Sequence, residues 1–202
     1  MNVALLASGA GTNLQALIDR SHGRAGVQLV AVASDKPEAP ALERARTAGI
    51  PTETFALDRF ADRAARDQAI AAWLHENGAE LVVLAGYMQL LSSEFLEQFP
   101  NRVINVHPSL LPAFPGIGAV RQALDYGVKV FGVTIFFVDG GVDTGPVILQ
   151  RAIELPAARD PDQVLVALHE IEHELLVEAV TLIARGAVSF DPANPRRVVI
   201  AR

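Results

Sequence analysis

The sequence of 202 residues contains no cysteine. This absence excludes disulfides, thiolate catalysis and every zinc site with a sulfur ligand, and it fits a reducing cytoplasm. No apolar run approaches the roughly 20 residues that span a bilayer. The N-terminus also lacks a charged segment followed by an apolar stretch and a cleavage site. We therefore expect a cytoplasmic protein without a membrane partner.

Basic residues are also few, with 17 Lys and Arg against 23 Asp and Glu, and the formal net charge is -6 at pH 7. A protein that binds nucleic acid through its phosphates needs a basic face. We therefore expect no nucleic-acid partner. A small anionic ligand remains compatible with this charge, because backbone amides can hold a phosphate.

Half of the residues are hydrophobic, and short apolar runs alternate with helical patterns. Strand patterns cover 2–8, 27–34, 51–57, 81–86, 102–107, 128–138 and 146–155, and helical patterns cover 14–20, 39–50, 58–78, 92–99, 120–127 and 160–186. This alternation predicts an α/β fold, a doubly wound, mostly parallel, Rossmann-like sheet with helices on both faces. The last strands are candidates for an antiparallel arrangement.

No repeat or linker interrupts the pattern, so we predict a single domain over residues 1–186 and a C-terminal tail over 187–202. The tail has alternating character that could add an edge strand, but Pro192 and Pro195 favour loose attachment. In the long helix, Asp160 suits the N-cap and Pro161 the first helical position. Its predicted apolar stripe consists of Val164, Leu168, Ile171, Leu175 and Leu182.

The segment SGAGTNLQ follows the first strand and opens the first helix. It lacks the third glycine of G-x-G-x-x-G and the lysine of a P-loop, so neither nucleotide fingerprint is met. The amides of Gly11, Thr12 and Asn13 at a helix N-terminus would nevertheless suit one phosphate monoester. The alternative is a tight turn in which Thr12 or Asn13 caps the helix.

The segment INVHPSLLP lies at the carboxyl end of a strand, where doubly wound sheets bind ligands. Asn105 and His107 are two residues apart, so their side chains leave the same face of the strand. A carboxamide and an imidazole together suit acyl transfer to an amine, since both can donate to an oxyanion. A histidine bonded to a backbone carbonyl is the simpler alternative for this stretch.

A second polar segment, VDGGVDTGPVI, carries Asp139 and Asp143 after a later strand. A carboxylate close to His107 would raise the pKa of the imidazole and keep it cationic. Aspartates before glycine are also common in turns, and spacing alone does not pair either one with His107.

The motifs SGAGTNLQ, LAGYMQLLS, INVHPSLLPAFPG, DTGPVILQ and the late EH helix together resemble the phosphoribosylglycinamide formyltransferase family, over nearly the whole chain. The resemblance implies direct transfer of a formyl group from 10-formyltetrahydrofolate, as co-substrate, to the amine of 5'-phosphoribosylglycinamide in purine biosynthesis. It implies small-molecule substrates, no metal, and a monomer or homodimer. The N-terminal part would bind the ribonucleotide and the C-terminal part the folate.

The same resemblance assigns roles to individual residues. Asn105, His107 and Asp143 fall on the catalytic set. Gly11, Thr12, Asn13 and Glu172 fall on the ribonucleotide site. The implied folate contacts are Arg63, Met88, Gln89, Leu90, Leu91, Asn105, Asp139, Gly140, Gly141, Val142 and Asp143.

The late helix also contains His169-Glu170-Ile171-Glu172-His173, a match to the zinc-protease pattern H-E-x-x-H. A zinc site would need a third ligand, and only 29 residues follow His173. We interpret the match as coincidence, with Glu172 as a substrate ligand or, alternatively, with the helix as a solvated acidic face.

The chain departs from the family where arginine or histidine is common, and carries Gln89, Val120 and Phe136 instead. Two other functions remain open: a formyltetrahydrofolate hydrolase with the same Asn, His and Asp, and a non-catalytic nucleotide-binding module. We expect the hydrolase to carry an N-terminal regulatory domain, for which this chain leaves no room. A methionyl-tRNA formyltransferase is disfavoured by the missing C-terminal domain and the acidic charge.

Overall fold

The computed structural model describes residues 1–201, which cluster into two compact units, one over residues 1–105 and one over residues 106–201. The first unit contains β1 (Asn2–Leu6), α1 (Thr12–Arg20), β2 (Gln28–Ser34), α2 (Pro40–Thr47), β3 (Thr52–Thr54), a 3-10 turn (Leu57–Arg59), α3 (Arg63–Glu76), β4 (Leu81–Leu84), α4 (Ser93–Gln98) and most of β5 (Val103–His107). The second contains α5 (Ala119–Tyr126), β6 (Val130–Phe137), β7 (Val147–Glu154), α6 (Pro161–Ala184), β8 (Val188–Asp191) and β9 (Asn194–Ile200).

The main sheet has seven strands in the order β3-β2-β1-β4-β5-β6-β7. In the first unit β1 pairs in parallel with β2 and β4, β2 with β3, and β4 with β5. In the second unit β6 and β7 pair in antiparallel register, for example Thr134 opposite Gln150. The predicted α/β class, with a mostly parallel sheet and antiparallel last strands, is therefore confirmed.

The core of the first unit follows from its apolar strands. Residues Val3–Leu6 of β1 and all of β4 are buried, as expected for parallel strands that are covered on both faces. Their register places Val3 opposite Leu81 and Leu6 opposite Leu84. These strands end at one edge, from which the following loops carry polar side chains.

Side-chain caps set where several helices begin. Asp62 accepts a hydrogen bond from the Ala65 amide, and Ser92 does the same for Phe95. The third helix therefore begins at Arg63, several residues after the predicted start at 58, because the Asp62 carboxylate caps it there. Asp160 caps α6, with Pro161 in its first turn, as predicted.

The buried face of α6 differs from the predicted stripe. Val164, Leu168 and Leu175 are buried, but Ile171 and Leu182 are only half-buried. The positions that take their places are Glu172 and Ile183. The spacing of apolar residues in the sequence predicts that Ile171 is buried. In the structure the carboxylate of the neighbouring Glu172 faces the interior instead.

The predicted tail folds as an antiparallel hairpin of β8 and β9. Pro195 lies within β9, and the Phe137 and Phe190 rings lie 5.0 Å apart between centroids. The prolines therefore do not keep this segment loose, because a two-stranded ribbon leaves edge positions where no amide donor is required. The single-domain prediction for 1–186 stays a prediction.

Candidate active site

His107 ends β5 and is the best-defined titratable side chain of the second unit, with only 5% of its surface exposed. Its Nε2 lies 2.8 Å from the Phe114 carbonyl oxygen, and its Nδ1 lies 3.4 Å from Asp143 Oδ2. A carbonyl oxygen only accepts, so Nε2 carries a proton. The other nitrogen, Nδ1, faces the Asp143 carboxylate. The structure thus pairs His107 with Asp143, which spacing alone left open.

One loop contacts both members of this pair. Phe114 supplies the carbonyl next to His107, and the Gly116 amide donates to Asp143 Oδ2 at 2.7 Å. Phe114 and Asp143 have φ of 51° and 53°, which are unusual for residues other than glycine. Backbone in this region often marks a functional site, because the surrounding contacts must hold it there.

Two side chains of the antiparallel strands hold the loop that follows His107. The Thr134 hydroxyl donates to the Ser109 carbonyl at 2.7 Å and accepts from the Leu111 amide at 3.1 Å. Gln150 donates to the Leu111 carbonyl at 2.8 Å and to the Thr134 hydroxyl. Sequence reasoning missed both residues. The only available signal was Thr134, a polar residue within a strand that is otherwise apolar.

Asn105 lies two residues before His107 on β5, as predicted, and is half-buried. The first unit ends at this residue. Its catalytic role stays a prediction.

The turn after β1 leads into α1 through a left-handed glycine. Gly11 is the N-cap of α1, with φ of 72° and no side-chain cap. A Cβ on Gly11 would lie 2.8 Å from the Cα and Cβ of Ala41, so no other residue fits without a shift. Arg44 fixes the turn by donating to the Ala10 carbonyl at 2.8 Å. The alternative in which Thr12 or Asn13 caps the helix is wrong, because the cap is Gly11.

The Met88–Leu91 segment follows β4 in the first unit. Met88 and Leu90 are large apolar residues with 62% and 57% of their surface exposed. Gln89 reaches inward and contacts Arg66, which is fully buried. Arg63, the arginine predicted to meet the folate tail, is exposed at the start of α3. Sequence reasoning therefore selected one arginine of this helix and missed the buried one.

Tyr87 precedes this segment and is almost completely buried. Burial raises its pKa well above the ordinary value, and the nearby carboxylates of Asp35 and Asp67 add to this, while the Arg66 cation opposes it. The phenol therefore stays neutral at physiological pH.

The loop from Asp139 to Asp143 contains two carboxylates with different tasks. Asp139 Oδ1 accepts from the Gly141 amide at 3.0 Å and from the Thr144 hydroxyl at 2.6 Å, so it braces its own turn. Gly141 packs against Thr144 without room for a Cβ, and Val142 is exposed. Only Asp143 is paired with His107.

On α6, Glu172 is 7% exposed, whereas Glu170 is exposed. The His169 and His173 rings stack with centroids 6.4 Å apart. Within residues 1–201 no group of three His, Asp or Glu side chains could hold a metal ion. The buried carboxylate at Glu172, on a helix face that is otherwise apolar, contradicts the alternative of a fully solvated acidic face.

Two departures from the family are core residues. Val120 in α5 and Phe136 in β6 are 4% and 2% exposed. They fill the interior of the second unit with apolar volume. In the part of the chain that the structure describes, no helix is long and apolar enough to cross a membrane.

Comparison with known proteins shows the family of this chain. The formyl transferase family matches residues 1–180. The chain belongs to this family. Bacillus subtilis phosphoribosylglycinamide formyltransferase is 41% identical over 172 residues, which cover 85% of this chain and 88% of the relative.

Solved structures of family members also resemble the chain closely. The crystal structure of glycinamide ribonucleotide transformylase 1 from Symbiobacterium toebii has a TM-score of 0.95 and 43% identity, and the match covers 100% of this chain and 94% of that one. A formyltetrahydrofolate deformylase from Pseudomonas putida has a TM-score of 0.86 and 33% identity, with 99% of this chain but 70% of the deformylase covered. The formyl transferase fold therefore carries both chemistries among the neighbours of this chain.

Proposed function

We propose that this chain transfers a formyl group from 10-formyltetrahydrofolate to the amine of 5'-phosphoribosylglycinamide, a step of purine biosynthesis. The relatives with this activity match nearly the full length of the chain. The observation that carries the chemistry is the His107–Asp143 contact of 3.4 Å, with both ring nitrogens facing acceptors. A ring held between a carbonyl and a carboxylate is positioned to donate a hydrogen bond to an oxyanion, which acyl transfer to an amine requires.

The reaction begins with attack of the glycinamide nitrogen on the formyl carbon. A new C–N bond forms and the formyl oxygen becomes an oxyanion. The imidazolium of His107 and the carboxamide of Asn105 donate to this oxygen, and one such donor is worth about 2.7–4 kcal/mol. To reach it, His107 exchanges one of its present acceptors, Phe114 or Asp143, for the substrate oxygen.

Collapse of the tetrahedral intermediate breaks the bond between the formyl carbon and N10 of the folate. The attacking nitrogen loses a proton and N10 gains one, so the overall reaction needs no external acid or base. Asp143 orients the ring of His107 and helps to relay the proton. The products are tetrahydrofolate and the formylated ribonucleotide.

The binding residues divide between the two substrates. The amides of Gly11, Thr12 and Asn13 hold the ribonucleotide phosphate, since Gly11 leaves the start of α1 without a side-chain cap. The buried carboxylate of Glu172 binds the glycinamide amine. The folate contacts lie in Met88–Leu91 and in Asp139–Asp143, together with Arg63. A cytoplasmic location and a monomeric or homodimeric state belong to the same proposal.

Product analysis tests this function against the hydrolase alternative, which the Pseudomonas putida neighbour favours. The purified protein is incubated with 10-formyltetrahydrofolate, with and without 5'-phosphoribosylglycinamide. We expect one formylated ribonucleotide for each tetrahydrofolate and little formate when the amine is omitted. Formate released at the same rate in both reactions would identify the hydrolase, and no turnover of either kind would support a non-catalytic module.

A further inference from the structure

An ion pair is completely buried near the start of α3. Arg66 and Asp67 both have 0% of their side-chain surface exposed. Arg66 Nε and Nη2 donate to the same oxygen, Asp67 Oδ1, at 3.0 and 2.8 Å. Desolvation of two charges largely cancels their attraction, so such a pair is a poor source of stability and a better one of structural specificity.

The other polar atoms of Arg66 and Asp67 form hydrogen bonds to residues 89–92. Arg66 Nη1 donates to the Gln89 side-chain oxygen at 3.3 Å, and Nη2 donates to the Leu90 carbonyl at 3.5 Å. The Ser92 amide donates to Asp67 Oδ2 at 2.7 Å. The side-chain amide of Gln89 continues to Asp35 Oδ2 at 3.0 Å. The pair therefore holds Gln89 and Leu90 within the Met88–Leu91 segment and Ser92 directly after it.

This fastening explains how large apolar side chains stay exposed without collapsing onto the surface. Gln89 and Ser92 are drawn inward, and the alternate residues Met88 and Leu90 are left facing outward. The Met88 amide is also fixed, by donation to the Ser8 hydroxyl at 2.9 Å. A fixed apolar pair with a rigid backbone is suited to a flat aromatic ring, because little ordering entropy is lost on binding.

We propose that Arg66 and Asp67 are positioning residues that hold the Met88–Leu91 segment in the shape required by the folate co-substrate. This inference rests on the proposed function for the identity of the ligand. Neither residue touches the reacting atoms in this account. This positioning role requires the planar guanidinium group of Arg66. A lysine has a single ammonium group and cannot bond to Asp67, Gln89 and Leu90 together.

The first test measures the segment itself. In Arg66→Lys we expect amide hydrogen exchange across residues 88–92 to accelerate at least about tenfold, whereas exchange in β1 and α1 stays as in the wild type. The matched control is Arg46→Lys, which alters an exposed arginine of the same unit, 3.5 Å from Glu43. Unchanged exchange at 88–92 in Arg66→Lys, or equal acceleration in the control, would overturn the proposal.

The second test measures the two substrates separately. Arg66→Lys should raise KM for 10-formyltetrahydrofolate about tenfold and leave KM for the ribonucleotide within twofold, because small displacements of a binding surface are costly. Equal rises in both KM values would indicate a merely structural role and contradict the proposal. The double variant Arg66→Met/Asp67→Leu should show the same split, because it also removes every bond from the pair to Gln89, Leu90 and Ser92, and circular dichroism checks that it folds.

The two tests separate this inference from the proposed function. If the wild type transfers no formyl group, the proposed function fails, while hydrogen exchange still decides whether the buried pair holds the segment. In that case the Kd for 5-formyltetrahydrofolate, measured by calorimetry, replaces KM as the readout. If transfer is normal and exchange at 88–92 is unaffected by Arg66→Lys, the inference fails and the function stands.

Discussion

The turn at Gly11 and the pair of His107 with Asp143 are built from different parts of the chain: the first from backbone and the second from side chains. The turn uses backbone: a left-handed glycine, a close approach to Ala41 and the uncapped start of a helix. The pair uses side chains from segments far apart in sequence, joined by a loop that contacts both. A backbone turn such as the one at Gly11 can be predicted from a few consecutive residues. A side-chain pair such as His107 and Asp143 can be identified only from the folded structure.

The largest expected effect on catalysis comes from changing the His107–Asp143 pair. Replacing His107 by alanine removes a proposed donor to the oxyanion, so kcat should fall about a thousandfold, within the range for oxyanion stabilisation and proton transfer. The KM for the ribonucleotide should change little, because we propose that its phosphate binds at the start of α1 and not at His107. Steady-state kinetics with both substrates varied measures this, and circular dichroism checks the fold. A kcat within tenfold of the wild type would remove His107 from the mechanism.

The next effect separates two carboxylates on α6. Glu172→Gln should raise KM for the ribonucleotide about tenfold to a hundredfold, since a charged hydrogen bond of roughly 1.5–3 kcal/mol is weakened. Glu170→Gln is the matched control, because Glu170 is exposed on the same helix and should tolerate the change. In a zinc protease the order reverses, since Glu170 would then activate water. Loss of function in Glu170→Gln alone would therefore revive that interpretation.

A smaller effect on KM is expected from changing the turn at Gly11. Gly11→Ala brings a Cβ to 2.8 Å from Ala41 and strains a φ of 72°, so the phosphate amides shift. We expect KM for the ribonucleotide to rise about tenfold, as for one weakened charge-assisted bond, with KM for folate unchanged. Gly49→Ala is the control, with φ of 71° and open space around its Cβ position. Equal losses for both substrates would contradict a phosphate cradle.

The smallest effect concerns the buried phenol of Tyr87, whose hydroxyl oxygen has no hydrogen-bond partner among the described residues. Burial raises the pKa of Tyr87 above its ordinary value of 10.0, so the unfolded chain loses this proton first as pH rises. Wild-type stability contributed by this group is present below pH 10 and declines above it, by about 1.4 kcal/mol per pH unit. Tyr87→Phe should lack that decline. Thermal unfolding at pH 8 and pH 10.5 compares the two proteins, and parallel losses would contradict the shift.

The sequence predicts much of the fold because strand and helix patterns are local. The parallel strands β1 and β4 are continuous apolar runs, and the cap Asp160 precedes its helix as expected. The predicted stripe of α6 fails at Ile171, because packing selects the adjacent Glu172 for the interior. No local pattern encodes that choice.

The candidate site divides in the same way. Gly11, His107 and Asp143 were found from short motifs, and the resemblance assigned Asp143 its place in the catalytic set with His107. The residues that support the site were not found. Thr134 and Gln150 act through hydrogen bonds to a loop, and Arg66 looks like any surface arginine in a helical sequence until its burial is known. Such supporting contacts depend on tertiary structure, and sequence spacing does not report them.

The claim that His107 and Asp143 act as one unit is tested most directly by a double-mutant cycle on kcat. His107→Ala, Asp143→Asn and the combined variant are compared with the wild type under saturating substrates. We predict that the combined variant loses little more than His107→Ala alone, because groups that act together are strongly non-additive. Losses that multiply in full would show that the two side chains act independently and would contradict the account.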